Sequence, residues 1–216
     1  MIIRPILFNT EMVQAIQEGR KTVTRRLAKD LSRPPYETGD VLCVRETWNF
    51  LPCITCMERD CSLTPEVYED AESITEGCFI YKALDGESPV FGLGHSWRPS
   101  IHMPKQAARI FLRVKAVYAD RLQESVNVSP RPIKEIEAEG IPIDEECQEC
   151  VKTYGWPCCI DEESECGLLD DQRGKFADLW DSTIPKDKLE TAGWAADPMV
   201  WVIRFRVCEK PEGWPG

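Results

Sequence analysis

The sequence predicts a mixed α+β fold, a mainly antiparallel α+β domain or barrel interrupted by two Cys-rich insertions. Three observations point there. Two stretches, "AARIFLRVKAVYADRL" (107–122) and "MVWVIRFRV" (199–207), alternate apolar and polar residues at the period of two that a strand with two unlike faces requires. "TEMVQAIQEG" and "QRGKFADLWDSTI" instead space their apolar residues at helical period. Several strand-like runs are joined by turns too short for a parallel crossover, which leaves antiparallel pairing.

In chain order, "IIRPILF" is a short β-rich run. "TEMVQAIQEG" reads as a helix with Thr10 as its N-cap, Glu11 in the first turn and Gly19 as its stop. "RPPYETGD" is a turn that leads into the strand Val41–Val44. Residues 49–78 show little periodicity and are expected to be an irregular insertion, followed by strand character in "CFIYKA". A loop rich in Gly and Pro precedes the long strand, where Ile110, Leu112, Val114 and Ala116 share a face. "PIKEIEAEG" is a short helix ending at Gly140, and 141–171 is a second insertion, acidic and Cys-rich. Phe176, Leu179, Trp180 and Ile184 form a helical stripe, and the final strand sets Met199, Trp201, Ile203, Phe205 and Val207 on one face. The expected organisation is one domain over 1–216, with insertions at about 49–78 and 141–171.

The formal net charge of −11 is unevenly placed. From Glu135 to Asp171 there are 13 acidic residues and one basic residue, Lys152, so that segment alone carries −12 and the remainder +1. The acidity therefore does not exclude an anionic partner for the rest of the chain. The N-terminus lacks the apolar core and cleavage-site residues of a signal peptide, and no apolar stretch is long enough to span a bilayer. A cytoplasmic protein with no membrane partner is expected.

Eleven cysteines without an export signal argue against a disulfide framework. Eight fall in two runs: Cys53, Cys56 and Cys61, then Cys147, Cys150, Cys158, Cys159 and Cys166. Residues 141–171 hold few large apolar side chains, and a metal is the simplest way to order them. Tetrahedral thiolate points to structural zinc, with an iron–sulfur cluster as the alternative. Cys147, Cys150, Cys158 and Cys166 make a four-ligand set in which Cys159 can replace Cys158. Cys53, Cys56 and Cys61 form a second or shared site. Cys43 and Cys208 read as core.

Against this background "EGRKTVTRR" (18–26) concentrates four cations and two threonines. Cations after a helix complement its dipole; Arg, Lys and Thr also suit phosphate oxygens. A third possibility is catalysis, because a lysine crowded by arginines and partly buried loses its proton more readily. Elsewhere, Glu46 in "VRETW" reads as an ion-pair partner of Arg45 or Arg109, or as a pocket carboxylate. Trp97, Ser100 and His102 in "WRPSIHMP" read as loop and core residues or as a pocket wall that stacks on a base and reads its edge.

The array "GRKTVTRR", "GDVLCVRETW", "WRPSIHMPKQAARIFLRVKAVYADRL", "EAEGI", "FADLWDSTI" and "WAADPMVWVIRF" resembles ASCH-domain proteins of the PUA-like superfamily, most of all the larger phage- and prophage-encoded members. It covers most of the chain outside the two Cys-rich segments. The resemblance implies a PUA-like, mainly antiparallel β-barrel with flanking helices and, from one branch of the family, an N(4)-acetylcytidine amidohydrolase. That branch uses a Lys and a Thr in a G-x-K-T-x-T-x-R stretch together with a Glu after the central strands. Carried onto this sequence, these are Lys21, Thr24 and Arg26 after Gly19, with Glu139 or its neighbour Glu137 as the carboxylate. Lys21 would be the base, Thr24 the nucleophile or the positioner of a water, Glu139 the proton donor to the leaving amine, and Arg26 or a backbone N–H the oxyanion partner. Substrate contacts would come from Arg26, Glu46, Trp48, Trp97, Ser100 and His102. No cofactor is required for this chemistry, and any zinc would be structural because smaller relatives lack the insertions. The partner would be a nucleoside or modified base. The alternatives are an RNA-binding module, with Lys21, Arg25, Arg26, Trp48, Trp97 and Arg98 on phosphates and bases, and a phage accessory protein working through a metal-ordered surface.

Overall fold

The computed structural model describes residues 3–52, 66–69, 74–86, 96–127, 132–142 and 168–215. The chain divides into two compact units: Met1–Gln14, Val41–Leu112 and Val207–Gly216 make the first, and Ala15–Asp40 with Arg113–Arg206 the second.

In the first unit, β1 (Ile3–Leu7) pairs in parallel with β3 (Val41–Arg45), with Ile3 opposite Val41 and Leu7 opposite Arg45. Val41, Leu42, Cys43 and Val44 are all buried. A strand covered on both faces shows a continuous apolar run instead of alternation, as "VLCV" does. A second sheet has the order β4 (Trp48–Pro52), β6 (Ile74–Tyr81), β5 (Glu66–Glu69), antiparallel throughout. The stretch 49–78, expected to be irregular, thus contains strand at 49–52, 66–69 and 74–78. Gly77 makes the β4–β6 pairing possible, since a Cβ there would lie 2.2 Å from the Leu51 carbonyl oxygen and 2.6 Å from the Phe50 ring. The core gathers Val41, Cys43, Trp48, Phe50, Phe79, Met103 and Phe111, and the Phe50 and Phe79 rings meet edge-on at 5.1 Å. Cys43 is core, as expected, and Cys208 packs half-buried against it.

The second unit is built on β7 (Phe111–Arg121, of which Arg113 onward belongs here), β8 (Met199–Cys208, of which the part up to Arg206 belongs here) and β2 (Val23–Leu27). β2 and β8 are antiparallel, with Thr24 opposite Ile203 and Arg26 opposite Trp201. Helices α3 (Leu122–Val126), α4 (Pro132–Ala138) and α5 (Leu168–Ser182) supply Leu122, Val126, Ile136, Phe176 and Trp180 to a core shared with Val23, Val200 and Val202. Asp197 is held in the left-handed region, φ 46°, where its Oδ1 accepts the Gln123 N–H (2.8 Å) and its carbonyl accepts from Arg121 (3.0 Å). A short polar side chain tolerates that backbone, and here it caps α3.

Strand order in the larger sheet is β1-β3-β7-β8-β2, so the expected closed barrel is replaced by an open sheet. Closure requires the first and last strands to pair with a consistent stagger. The terminal strand β1 has only five residues, and Pro5 removes one of its donors, which is how edge strands end a sheet. The mixed α+β class itself holds.

Helix α1 (Thr10–Gln17) starts and stops almost where the sequence indicates. Its cap is Asn9 and not Thr10, because the Met12 N–H donates to Asn9 Oδ1 at 2.9 Å. Gly19, at φ 76°, turns the chain after the last helical residues and donates to the Ile16 carbonyl (3.1 Å). No helix among the described residues is long and apolar enough to cross a membrane.

Candidate functional site

The site follows directly from the Gly19 turn. Beyond it, Lys21 N–H donates to the Ala15 carbonyl (2.9 Å), Thr22 N–H to the Ala138 carbonyl (2.8 Å), and the Thr22 carbonyl accepts from Phe205 N–H (2.9 Å). These bonds convert the charged stretch after the helix into strand β2. Period two then separates the side chains: Thr24 and Arg26 project from one face of β2, Arg25 from the other. Burial is nearly complete at Lys21 (3 % exposed), Thr24 (1 %) and Arg25 (3 %), so this is no solvated basic run.

Opposite lies the turn after α4. Gly140 adopts φ 96°, and a Cβ there would meet Ala15 Cβ at 2.9 Å and Lys21 Cβ at 3.3 Å. The glycine therefore lets Lys21 approach the Glu139 backbone. Three successive carbonyls are gripped by three successive residues: Gly140 by Arg20 Nη1 (2.6 Å), Glu139 by Lys21 Nζ (2.6 Å), and Ala138 by the Thr22 amide.

Lys21 Nζ also donates to Glu139 Oε2 at 2.5 Å, while Glu139 Oε1 accepts from Arg25 Nη1 at 2.8 Å. Glu139 is thereby the carboxylate that meets Lys21; its rival Glu137 is half-buried two residues before. Arg25 is fixed further by Nε to Ser125 Oγ (2.7 Å), Nη2 to the Ser125 carbonyl (2.5 Å) and to Glu135 Oε2 (3.4 Å), and by the Phe176 ring 5.6 Å from its guanidinium carbon. Glu135 Oε1 accepts from Arg204 (2.7 Å). On the other face, Arg26 Nη1 donates to Thr24 Oγ1 at 2.6 Å and to the Arg25 carbonyl at 2.9 Å. The Arg26 charge also acts on both Lys21 and Glu139.

Burial draws the Lys21 pKa below the usual lysine range, and Arg26 and Arg25 add to this against the pull of Glu139. For Glu139, burial alone would raise the carboxyl. Lys21 and Arg25 more than offset it and hold the group below the usual glutamate range. A carboxyl held down in this way is an anion, which disfavours the proton-donor role expected for it from the sequence. The arrangement offers a threonine hydroxyl held by a guanidinium, and a lysine with a depressed pKa anchored on a carboxylate.

The other expected contacts belong to the first unit. Glu46 is 1 % exposed and forms a two-point pair with Arg109, Oε1 to Nε and Oε2 to Nη2, both at 3.0 Å, while Arg109 stacks on the Tyr81 ring at 4.4 Å. Arg45 instead donates to the Ile101 carbonyl (3.2 Å). Burial raises the Glu46 carboxyl pKa despite Arg109. Trp48 is buried in the core, with Arg98 over its ring at 5.2 Å. Trp97 and Ser100 are half-buried, and His102 is exposed on a single 3-10 turn. The thiols expected to bind metal, Cys53, Cys56, Cys61, Cys147, Cys150, Cys158, Cys159 and Cys166, lie outside the described residues.

Arg25, Ser125, Glu135 and Arg204 were not in the expected catalytic set. The available signal was the helix "PIKEIEAEG", where Glu135 and Glu139 stand four residues apart and so face one way.

No protein-family model matches the chain, and no curated protein matches it. Among solved structures, the chain is similar to the ASCH domain from Lactobacillus crispatus JV V101, known from a high-resolution crystal structure. The two share 10% identity over 95% of this chain and 79% of that one, with a TM-score of 0.36. So low a TM-score carries no argument about activity.

Proposed function

We propose that the second unit is a nucleoside amidohydrolase site of the ASCH type, removing an acyl group from the exocyclic amine of a cytidine-like base. The observation that carries this reading is the buried pair of Lys21 and Glu139 together with Arg26, whose charge acts on both and whose guanidinium holds the Thr24 oxygen. The motif resemblance of "GRKTVTR" supports the same assignment.

In this reading neutral Lys21 takes the Thr24 proton as Oγ1 attacks the acyl carbonyl, and Arg26 stabilises the oxygen on which charge develops. Lys21, now an ammonium, gives that proton to the departing amine, and the C–N bond breaks. Water then attacks the Thr24 ester, with Lys21 again as base, to release the carboxylate and restore the hydroxyl. Glu139 stays anionic throughout and orients Lys21. Glu46, Trp48, Trp97, Ser100 and His102 enter no step. No metal or cofactor takes part, and a zinc at the cysteine runs would be structural. The RNA-binding alternative is weakened because Lys21 and Arg25 are spent on Glu139 and cannot reach a strand.

The test is release of acetate and cytidine from N(4)-acetylcytidine by purified protein. Loss of release in Lys21→Ala and Thr24→Val supports the reading. An inert wild-type protein, or full activity in Lys21→Ala, sinks it.

A further inference from the structure

We propose that Arg25 is the positioning residue of this site: it takes one oxygen of Glu139 permanently, so that Lys21 can give up its proton without stranding a buried carboxylate. The inference rests on the reading of Lys21 as the base.

A buried one-to-one pair allows little. If Glu139 faced Lys21 alone, deprotonating the lysine would leave an anion without a counter-charge away from water, which is strongly unfavourable. Such a pair holds its proton. The structure gives Glu139 two cations instead, Lys21 on Oε2 at 2.5 Å and Arg25 on Oε1 at 2.8 Å, and a guanidinium does not deprotonate in proteins. Glu139 keeps a partner in either state of Lys21. The charged groups acting on Lys21 include Glu139 from the turn after α4, and Arg25 and Arg26 from β2.

Arg25 is itself immobilised. Ser125 Oγ donates to the Leu122 carbonyl (2.7 Å), so a lone pair is left to accept Arg25 Nε (2.7 Å), and the Ser125 carbonyl takes Nη2 (2.5 Å). Phe176 covers a face of the guanidinium. Glu135, which bridges Arg25 and Arg204, takes a second bond from Nη2. Those contacts leave Nη1 directed at Glu139, which is how a positioning group differs from a mobile counter-ion.

The test follows the 13Cε resonance of Lys21 through a pH titration in wild type and in Arg25→Met, with the signal assigned by Lys21→Arg. It needs no substrate. Loss of Arg25 throws the whole Glu139 charge onto Lys21 and raises its midpoint by about one pH unit or more. An unchanged or lower midpoint in folded Arg25→Met overturns the proposal. Where Arg25→Met does not fold, Arg25→Lys decides through kinetics. Its ammonium cannot span Ser125 and Glu139 together, so kcat for acetate release falls about tenfold while KM stays within about twofold. A wild-type kcat in that variant overturns the proposal as well. Wild-type protein that releases no acetate would remove the amidohydrolase reading, and the titration would still judge Arg25.

Discussion

Lys21 Nζ binds Glu139 twice, at the side-chain Oε2 (2.5 Å) and at the main-chain oxygen (2.6 Å), with both side chains almost wholly out of solvent. Breaking a buried pair by removing one partner leaves the other charge uncompensated. Glu139→Leu, which strands Lys21, should therefore cost about 3–5 kcal/mol, whereas Lys21→Met leaves Glu139 on Arg25 and should cost less, and the double variant should cost less than the sum of the two. Urea unfolding of the three variants measures this; additive losses would show that the two groups do not depend on each other.

The pH dependence of stability carries the signature of the same pair. The Glu139 carboxyl is held below its unfolded value, so the unfolded state binds the extra proton as acid is added. Stability from Glu139 is present above the ordinary glutamate range and is lost as pH falls through it towards the folded value. Glu46 has the opposite sign, since its folded pKa is raised and stability declines as pH rises through that window. Glu139→Gln should flatten the acid-side loss and Glu46→Gln should steepen it, in thermal melts at a series of pH values.

Two glycines should respond oppositely to alanine. Gly140 is in the left-handed region and has Ala15 and Lys21 in the path of a Cβ, so Gly140→Ala should cost about 1–3 kcal/mol and weaken activity with it. Gly174 lies on α5 with nothing within 4 Å of a Cβ, and Gly174→Ala should gain about 0.5–1 kcal/mol. Equal effects in chemical denaturation would contradict the turn geometry.

The cap of α1 gives a third contrast. Asn9→Ala should cost about 1 kcal/mol through the lost bond to Met12, and Thr10→Ala a few tenths. The reverse order would restore Thr10 as the cap.

Much of the element pattern was legible because period decides it. The long strand near 111–121, the final strand and the helix with Phe176 and Trp180 all stand where apolar spacing placed them. β2 was not legible. "VTRRL" carries two arginines and reads locally as solvated, and only pairing with β8 together with the Glu139 turn makes burial of Arg25 acceptable. Lys21 and Thr24 were found through a motif, whereas Ser125 and Glu135 are recruited by the fold from 100 and 110 residues away from Arg25. The open sheet was missed for a related reason: alternation says that a strand has two faces, and nothing about which strands end the sheet.

The ladder of Arg20, Lys21 and Thr22 onto Gly140, Glu139 and Ala138 ties together positions 118 residues apart at Lys21 and Glu139. Contacts so remote in sequence form only after a long loop closes, and closing a loop of that length costs entropy that local elements do not. The cluster is therefore expected to assemble after the local elements and to come apart as one cooperative piece. The Thr22 amide, bonded to the Ala138 carbonyl, becomes its built-in clock: its hydrogen exchange measures how often the Lys21–Glu139 pair opens.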